Sequence, residues 1–592
     1  MALLLHLIIV KELQAAPQDS AGCPRIKNHN IETGSGEFEQ QRTEGCMSKA
    51  DVYRVACLTK SYWPADTSEP LINISIGNAL RQVAAEVPDR LALVEGVSDP
   101  TKRRRWTYAQ LLSIAERVAS ALLGKFEPGE HIAIWAPNCV EWVLLQYGCA
   151  IAGMTLVTVS PAYQSREVEY LLRQSESAGL FLMEEYRGHH MHATIEKLRG
   201  SLPNLREIIT ISELEDFINT DSKSVTFPKV DPKDPCLVMY TSGTTGDPKG
   251  ALLYHMALLN SISFMAERAG LEAGGVYINT MPMFHIGGAG FAVLGSLVRR
   301  ATHVLVARFD PLLFLELIQR EQGTYGLLVP TMIEAILNFP DLKKYNLSTL
   351  KTIQSGASKV EAPLVRRVKA ELGCEISIVF GQIESHGGMT QTHLSDLPED
   401  QTNTIGQPYP QCELKIADPL SGKVLPLGME GEICCRGYQT MLGYYKMPEE
   451  TAKVLKRDGW LHSGDLGSMD ERGFVKITGR LKDMIIRGGE NIYPAEIEKL
   501  LHEHPKIAQA TVVGVPDDYW GEQIGGIVMP KSLQERPTVE ELDEYCRTHL
   551  SSFKRPRFWY FVSEFPTTEA GILRKFILRD LIVKGEMRPE KE

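Results

Sequence analysis

The stretch Tyr240–Gly250, YTSGTTGDPKG, decides how the rest of the chain is interpreted. It follows the short apolar run Leu237–Met239, which is typical of a buried strand that opens into a turn. The glycines let the backbone bend and approach a ligand closely, while the hydroxyl-bearing residues supply donors for phosphate oxygens. We therefore predict a phosphate-binding loop, with a polar surface turn as the alternative. Its candidate contacts are Thr241, Ser242, Gly243, Thr244, Thr245, Gly246 and Lys249.

The spacing of this loop differs from that of P-loop NTPases. Their pattern, G-x-x-x-x-G-K-[ST], needs a Gly-Lys-Ser or Gly-Lys-Thr that does not follow here. Any phosphate binding therefore uses another loop geometry.

Composition favours a globular protein that acts on small molecules. The 592 residues are 43% hydrophobic and 23% charged, which is ordinary for a soluble protein. A net charge of -11 argues against a general binder of nucleic acids or anionic membranes. The 11 cysteines are scattered without a C-x-x-C pair, so we expect reduced thiols and neither a zinc site nor a disulfide framework.

The N-terminal segment is expected to lie outside the folded domains. The apolar run MALLLHLIIV lacks a preceding basic residue and is too short to span a bilayer, so we expect no transmembrane segment. Residues 1–46 are expected to form a disordered extension, and Met47 is an alternative start. We expect a cytoplasmic protein, with a mitochondrial location as the alternative. Oligomeric state stays undetermined.

The central part of the chain alternates between strand and helix patterns. Strands are predicted at Ile132–Trp135, Thr155–Val159 and Gly179–Met183, with helices at Val140–Ala152 and Glu167–Gln174. Such alternation predicts an α/β fold with a parallel sheet. Ligands bind at the carboxyl ends of such strands, where the loop after Met239 would also lie.

The later chain changes pattern twice. Short alternating strands between Gly406 and Tyr445 suggest a β-rich subdomain, and residues after Lys482 read as a small α+β domain. We therefore predict an N-terminal extension, a large α/β domain and a small C-terminal domain, with bounds at 1–46, 47–481 and 482–592.

Further motifs occur in a recognisable order. They are Pro282-Met283-Phe284-His285, Gly356-Ala357-Ser358, Phe380-Gly381-Gln382-Ile383-Glu384, Gly406-Gln407-Pro408, Trp460-Leu461-His462-Ser463-Gly464-Asp465 and Gly479-Arg480-Leu481-Lys482-Asp483. Together with the Tyr240 loop, these motifs resemble the adenylate-forming (AMP-binding) enzymes, the superfamily of acyl-CoA synthetases, peptide-synthetase adenylation domains and luciferases. The resemblance covers roughly residues 71 to 579.

The resemblance implies a large adenylate-forming domain, built of parallel sheets with a β-rich subdomain, and a small mobile C-terminal domain. It also implies an ATP-dependent acid-thiol ligase that uses Mg²⁺ and takes CoA as a substrate. Such an enzyme joins AMP to a carboxylic acid, releases pyrophosphate, and then lets a thiol displace AMP.

The resemblance also assigns roles to residues. Lys249 and the loop would hold the β and γ phosphates, while Glu384 and Thr244 would organise Mg²⁺. Asp465 and Arg480 would contact the ribose, and His285 would face the acyl pocket. The remaining nucleotide contacts would be Gly356, Ala357, Ser358, Phe380 and Gly381.

Two implied roles belong to the small domain. Lys482 matches the hinge, and Gly488, Gly489 and Glu490 would line the path of CoA. Each role has a structural alternative: a surface carboxylate for Glu384, a turn ion pair for Asp465 with Arg480, and a core histidine for His285.

Two positions depart from the family pattern. Ile383 stands where a threonine would contact the AMP phosphate, and Ile572 stands in the place of the adenylating lysine. Losing one donor to a developing charge costs about 3 to 4 kcal/mol. The departures leave three hypotheses open: an acyl-CoA synthetase, an adenylation-impaired homologue that binds nucleotide or acyl-adenylate, and a ligase that loads a carrier protein.

The acid is expected to be aliphatic. The apolar segment around Phe284, together with Val329–Met332, suggests a pocket for a medium or long alkyl chain, with an aryl acid as the alternative.

Overall fold

The computed structural model describes residues 57–219, 225–241, 248–357, 360–487, 490–492, 494–532, 534–550, 552–567 and 573–590. The strands in chain order are β1 Tyr62–Trp63, β2 Leu91–Glu95, β3 Arg105–Thr107, β4 His131–Trp135, β5 Thr155–Val159, β6 Gly179–Leu182, β7 Glu207–Thr210, β8 Pro235–Thr241, β9 Lys249–Tyr254, β10 Val276–Asn279, β11 Thr302–Leu305, β12 Tyr325–Leu327, β13 Thr352–Gly356, β14 Glu375–Phe380, β15 Thr390–Gln391, β16 Gln407–Pro408, β17 Cys412–Ala417, β18 Gly431–Gly437, β19 Gly443–Tyr444, β20 Leu461–Met469, β21 Val475–Arg480, β22 Ile485–Arg487, β23 Glu490–Ile492, β24 Ile507–Asp517, β25 Gly521–Pro530 and β26 Phe558–Phe561.

The helices surround and connect these strands. The α-helices are α1 Ile76–Glu86, α2 Tyr108–Leu123, α3 Val140–Ala152, α4 Ser165–Gln174, α5 Met191–Leu198, α6 Leu214–Asn219, α7 His255–Arg268, α8 Val293–Val298, α9 Pro311–Glu321, α10 Pro330–Leu337, α11 Ala362–Arg367, α12 Pro398–Asn403, α13 Pro448–Val454, α14 Pro494–His502, α15 Val539–His549 and α16 Lys575–Val583. Two π-helices occupy Ile286–Ala292 and Val368–Leu372.

A seven-stranded sheet contains the two strands that flank the predicted phosphate-binding loop. Its order is β19-β9-β8-β5-β4-β6-β7, and β8, β5, β4, β6 and β7 are parallel. The predicted strand–helix alternation from Ile132 is confirmed, with boundaries that differ by no more than two residues. Helix α3 is buried along its whole length because its apolar residues run around all faces.

The strand before the loop belongs to a hairpin, which the sequence analysis did not anticipate. Strand β9 runs antiparallel to β8, and Thr241 lies opposite Lys249 at the end of the hairpin next to residues 242–247. The apolar run after Lys249 supplies the second strand. Residues 242–247 of the predicted phosphate loop lie outside the described part of the chain.

A nine-stranded sheet forms the second layer of the large domain. Its order is β16-β15-β14-β13-β12-β10-β11-β2-β3, and the strands from β14 to β2 are parallel. Strand β14 is buried over its four central residues. The parallel order places the ends of β13 and β14, at Gly356 and Phe380, at the same edge of the sheet.

The β-rich region is larger than the sequence indicated. A five-stranded antiparallel sheet has the order β1-β17-β18-β20-β21, so it extends from Tyr62 to Arg480. Strands β16 and β19 of the predicted region join the two larger sheets instead. Pairing between segments this far apart in sequence leaves no local pattern to read.

The small C-terminal unit has its own sheet and core. Its strands are ordered β23-β22-β25-β24, and β26 pairs with β25. Helices α14 and α15 pack on one apolar cluster of this unit, and α16 packs on another. The α/β and α+β division is therefore confirmed, while the bounds at 46 and 481 stay predictions.

Three observations bear on expectations from composition. Among the described residues no helix is long and apolar enough to cross a membrane. Eight described cysteines are free, as expected, whereas Cys57 is disulfide-bonded. The basic run at Arg103–Arg105 is ion-paired: the buried Glu321 carboxylate accepts from Arg103 at 2.5 Å and from Arg105 at 2.7 Å.

Candidate active site

The loop lysine has a carboxylate partner in the structure. Lys249 lies at the start of β9, and its ammonium donates a hydrogen bond to Glu450 in the first turn of α13. The same ammonium lies 5.4 Å from the centroid of the Tyr444 ring. The hydrogen bonds from Lys249 and then Lys453 lower the pKa of Glu450 from 4.5 to about 2. At neutral pH the charge of Lys249 is therefore matched by Glu450.

The predicted metal carboxylate is connected to this lysine through one tyrosine. Glu384 follows β14 and is buried, with 9% of its surface exposed. The Tyr444 hydroxyl donates to Glu384 Oε1 at 2.6 Å. Burial, followed by the charge of Glu384, raises the pKa of Tyr444. Tyr444 thus contacts the lysine with its ring and the carboxylate with its hydroxyl.

Strand pairing explains why Tyr444 is there. Strand β19 pairs antiparallel with β9, and this register sets Tyr444 opposite Ala251, two residues after Lys249. The backbone N–H of Met441 donates to the carbonyl of Glu384 at 2.9 Å, which ties the same segment to the end of β14. Three distant segments therefore meet at one point.

The turn that carries Glu384 is closely packed. A Cβ at Gly381 would lie 2.4 Å from the carbonyl oxygen of Gly387, so only glycine fits. The buried His386 ring accepts a hydrogen bond from Tyr254 N–H at 3.2 Å through Nε2 and donates to the carbonyl of Gln439 at 2.8 Å through Nδ1. Burial lowers the pKa of His386 from 6.5 to about 4, so the ring is neutral.

The segment predicted to lie along the adenine ends strand β13. A Cβ at Gly356 would lie 2.5 Å from the carbonyl oxygen of Val379, which explains the glycine. Ala357 is exposed and has a φ of +64°, a left-handed conformation uncommon for a residue with a side chain. Such unusual backbone conformations occur often at ligand sites. Ser358 lies outside the described residues.

Asp465 and Arg480 face each other across two strands. They are register partners in β20 and β21, and Arg480 Nε lies 3.2 Å from Asp465 Oδ1. Burial raises the pKa of Asp465 despite the opposing effect of Arg480. The pair is a cross-strand ion pair rather than the turn ion pair considered as an alternative. Lys482 follows in a short 3-10 helix, and its pKa is lowered by burial and by Arg480.

His285 caps the π-helix Ile286–Ala292. Its Nδ1 accepts the Gly287 N–H at 3.1 Å, which leaves Nε2 to carry the proton of the neutral ring. Burial lowers the pKa of His285 from 6.5 to about 4. The residue therefore has a structural role at this helix end, whatever else it contacts.

The glycines beside His285 do not by themselves create space. A Cβ at Gly288 would lie 2.3 Å from the carbonyl oxygen of Pro282, so the missing side chain lets two backbone segments pack together. The suggested acyl pocket at this segment must therefore be formed by other side chains. Two core cavities, each of only about 10 Å³, are lined by other parts of the chain, among them Tyr108 and Gln354.

Comparison with known proteins identifies the family. Residues 80–445 match the family profile of the AMP-binding enzymes, and residues 496–571 match that of the AMP-binding enzyme C-terminal domain. The chain belongs to the AMP-binding enzyme family.

Relatives within this family align with this chain over most of their length. YngI of Bacillus subtilis, whose name assigns it to the acyl-CoA synthetases, is 37% identical over 546 residues, covering 87% of this chain and 98% of the relative. Human ACSF2, named as a mitochondrial medium-chain acyl-CoA ligase, is 33% identical, covering 92% of this chain and 94% of the relative. The structure of ATP-bound MatB from Rhodopseudomonas palustris has a TM-score of 0.78 and 26% identity, covering 86% of this chain and 99% of MatB.

The described residues of this AMP-binding enzyme bring together part of the predicted site. Lys249 and Glu384 lie on either side of Tyr444, and Asp465 pairs with Arg480. The predicted contacts Ser242, Gly243, Thr244, Thr245, Gly246, Ser358, Gly488 and Gly489 lie outside the described residues, and Glu490 is described only as the first residue of β23. All assigned roles therefore stay predictions.

Sequence reasoning missed three residues: Tyr444, Glu450 and His386. Tyr444 lies 60 positions after Glu384, and Glu450 lies 201 positions after Lys249. The acidic helix start Pro448-Glu449-Glu450 is only a weak sign of a functional residue, because carboxylates are favoured in the first turn of any helix.

Proposed function

We propose that this chain is an AMP-forming acyl-CoA synthetase. It activates a carboxylic acid with ATP to an acyl-AMP and transfers the acyl group to CoA. The observation that carries the proposal is that Lys249 and the buried carboxylate of Glu384 both contact Tyr444, at the loop end of the β8–β9 hairpin. Adenylation needs a cation at the phosphates and a carboxylate that can hold a metal ion nearby, because charge builds on the α phosphate and on the leaving pyrophosphate.

Lys249 is proposed to hold the β and γ phosphates of ATP. Its ammonium is partly exposed and paired with Glu450, whose side chain is 29% exposed. A pair in this position is screened by water, so a triphosphate with several charges can displace the carboxylate. MatB, which has the same fold, was solved with ATP bound.

Glu384 fits the proposed Mg²⁺. Its Oε1 accepts from Tyr444, and within the described part of the chain no partner is found for Oε2. Mg²⁺ prefers carboxylate oxygens and usually keeps several waters, so one buried carboxylate beside the phosphates suits it. When bound, the ion neutralises charge on the phosphate oxygens. Thr244, the other proposed ligand, lies outside the described residues.

Asp465 and Arg480 are proposed to hold the ribose, and Lys482 to act as the hinge of the small domain. Two carboxylate oxygens suit the two ribose hydroxyls. The raised pKa of Asp465 shows that its carboxylate lacks full solvation, so hydroxyl donors would stabilise its charged form. CoA is proposed to pass residues 488–490, as the sequence predicted.

The acid is proposed to be a medium- or long-chain aliphatic acid. ACSF2 is named for medium-chain acids, which agrees with the apolar segment around Phe284. The location is proposed to be cytoplasmic, and the mitochondrial location of ACSF2 keeps the other possibility open.

Pyrophosphate release tests the proposed function. The purified chain is incubated with ATP, Mg²⁺ and straight-chain acids of increasing length, alongside aryl acids, and acyl-CoA is quantified after CoA is added. We expect pyrophosphate to depend on the acid and acyl-CoA to depend on all three substrates. Lys249→Ala should lower the rate about 10²- to 10³-fold. Lys351→Ala is the matched control, because Lys351 pairs with the exposed Glu272 away from the site. ATP turnover that is independent of any acid would contradict the proposal.

A second candidate is an adenylation-impaired homologue, which Ile572 and Ile383 favour. Ile572 lies outside the described residues, whereas Lys575 donates to Glu498 at 2.6 Å within the small unit. Lys575 is thus engaged by a carboxylate of its own unit. A third candidate, a ligase that loads a carrier protein, has no such observation in its favour.

Ile572→Lys separates the first two candidates. We expect the natural chain to convert supplied acyl-adenylate to acyl-CoA faster than it converts acid plus ATP. We expect Ile572→Lys to accelerate only the second reaction, by about 10². A natural chain that already turns over acid plus ATP at about 10 per second, with no gain from the lysine, would remove the impaired candidate.

A further inference from the structure

Three metal-binding side chains meet on the antiparallel sheet, beside the segment that carries Asp465. Cys434 of β18 is the register partner of His462 of β20, and Glu432 lies two residues before Cys434. One ligand atom from each of the three residues lies within 4.8 Å of the other two. The sequence shows no zinc motif here, because Cys434 and His462 lie on different strands and are 28 residues apart in the chain.

The distances suit a tetrahedral ion. Zinc bonds of about 2.3 Å to sulfur and about 2.1 Å to nitrogen, at a tetrahedral angle, separate the two donors by about 3.6 Å. Cys434 Sγ and His462 Nδ1 are 3.6 Å apart. Glu432 Oε2 lies 2.6 Å from the same Nδ1, so its carboxylate would have to withdraw by roughly 0.7 Å to become a third ligand.

The surroundings orient Glu432 and leave the histidine side of the cluster accessible to water. Glu432 is 6% exposed and His462 is 19% exposed, so water reaches the cluster at the histidine. Glu432 Oε1 accepts the Gly464 N–H at 3.0 Å, which orients the carboxylate from behind. Such supporting hydrogen bonds accompany most metal ligands. The accessible side leaves room for a water as the fourth ligand.

We propose that Glu432, Cys434 and His462 form a Zn²⁺ site whose occupation weakens nucleotide binding at Asp465. A thiolate, an imidazole and a carboxylate are the donors that zinc accepts, whereas Mg²⁺ prefers oxygen and does not compete. Zinc binds the thiolate form of cysteine, so the Cys434 thiol releases its proton to solvent when the ion binds.

The effect on nucleotide follows from the shared carboxylate. Glu432 also holds Gly464, which has a φ of +72° and directly precedes Asp465. Withdrawal of the carboxylate toward a metal shifts this turn and moves Asp465 from its place opposite Arg480. By linkage, nucleotide weakens zinc binding by the same factor. This effect, unlike the metal site itself, rests on the proposed function of Asp465.

Cobalt is the probe for the site. The full chain, reduced and free of nucleotide, is titrated with Co²⁺, and Zn²⁺ is then added to displace it. We expect one cobalt per chain with a thiolate-to-cobalt charge-transfer band. Cys434→Ser should abolish the band and weaken Zn²⁺ binding at least about 10- to 100-fold. Cys435→Ser is the matched control, because Cys435 is equally buried but packs in a different apolar cluster from Cys434.

Each outcome decides one part of the proposal. A missing band, or a band that Cys434→Ser retains, overturns the metal site. AMP titrations by calorimetry, with and without Zn²⁺, test the coupling: AMP affinity should fall in the natural chain and stay constant in Cys434→Ser. Equal AMP affinity with zinc bound overturns the coupling. A chain that binds cobalt as expected but never binds AMP contradicts the proposed function and leaves the metal site standing.

Discussion

Tyr444→Phe removes one hydroxyl from the centre of the candidate site and keeps the ring. That hydroxyl donates to the carboxylate of Glu384 at 2.6 Å in a buried place, because Tyr444 is 8% and Glu384 is 9% exposed. A hydrogen bond to a charged group contributes about 1.5 to 3 kcal/mol. The substitution leaves Glu384 Oε1 buried without this donor, so we expect the large domain to lose stability by that amount. If poorer orientation of Glu384 costs the transition state the same free energy, kcat/KM falls about 10- to 150-fold.

Thermal unfolding and steady-state kinetics measure the two effects. A loss of about 1.5 to 3 kcal/mol lowers the unfolding midpoint by a few degrees in a domain of this size. Tyr445→Phe is the control, since the neighbouring hydroxyl donates to the exposed Glu176 at a long 3.4 Å. If Tyr444→Phe and Tyr445→Phe melt together and turn over equally, the bond to Glu384 contributes to neither stability nor catalysis, and the reasoning fails.

Three further predictions concern the edges of the site. Asp465→Ala should weaken AMP and ATP binding in calorimetry without unfolding the chain. Asp470→Ala, which breaks an ion pair with Arg472, should leave the nucleotide affinity unchanged. Equal affinities in the two variants would refute the ribose assignment. Lys482→Pro should impair thioester formation more than adenylation because proline fixes φ, and Lys482→Ala should spare both; equal losses would argue against a hinge. Stability should fall as the pH drops from about 6.5 toward 4, because burial lowers the pKa of His386 to about 4 and only the unfolded chain gains its proton in that window. His386→Gln should reduce this slope in unfolding midpoints measured across the window, and an unchanged slope would contradict the assignment.

The fold was predictable wherever a segment carries its own pattern. Helix α3 and strand β5 begin and end at the predicted residues, because a fully apolar helix and a β-branched strand are legible locally. The predicted extent of the β-rich region was wrong. Strand β1 pairs with β17 from 350 residues away, and a two-residue strand such as Tyr62–Trp63 has no periodicity to detect.

The candidate site residues could be selected from sequence motifs, but their contact partners could not. Lys249, Glu384 and Asp465 each stand in a distinctive stretch, so sequence resemblance identified them as candidates. Glu450 and Tyr444 reach the same place through the pairing of β19 with β9, which only the folded chain establishes. The basic run at Arg103 shows the same limit, because its sequence does not reveal that the carboxylate of Glu321, from a distant helix, pairs with Arg103 and Arg105.

The arrangement around Tyr444 resolves a problem that the motifs alone create. If Lys249 binds phosphate and Glu384 binds a metal ion, as proposed, direct contact between these two side chains would pair them with each other and leave neither for its ligand. In the structure Glu450 takes the lysine and the Tyr444 hydroxyl takes the carboxylate, with the aromatic ring beside the ammonium. The lysine's partner is partly exposed and therefore easily exchanged for phosphate, while the carboxylate's partner is neutral and leaves its negative charge available to a cation. Glu450 and Tyr444, which no motif contains, thus keep Lys249 and Glu384 apart and available for their proposed ligands.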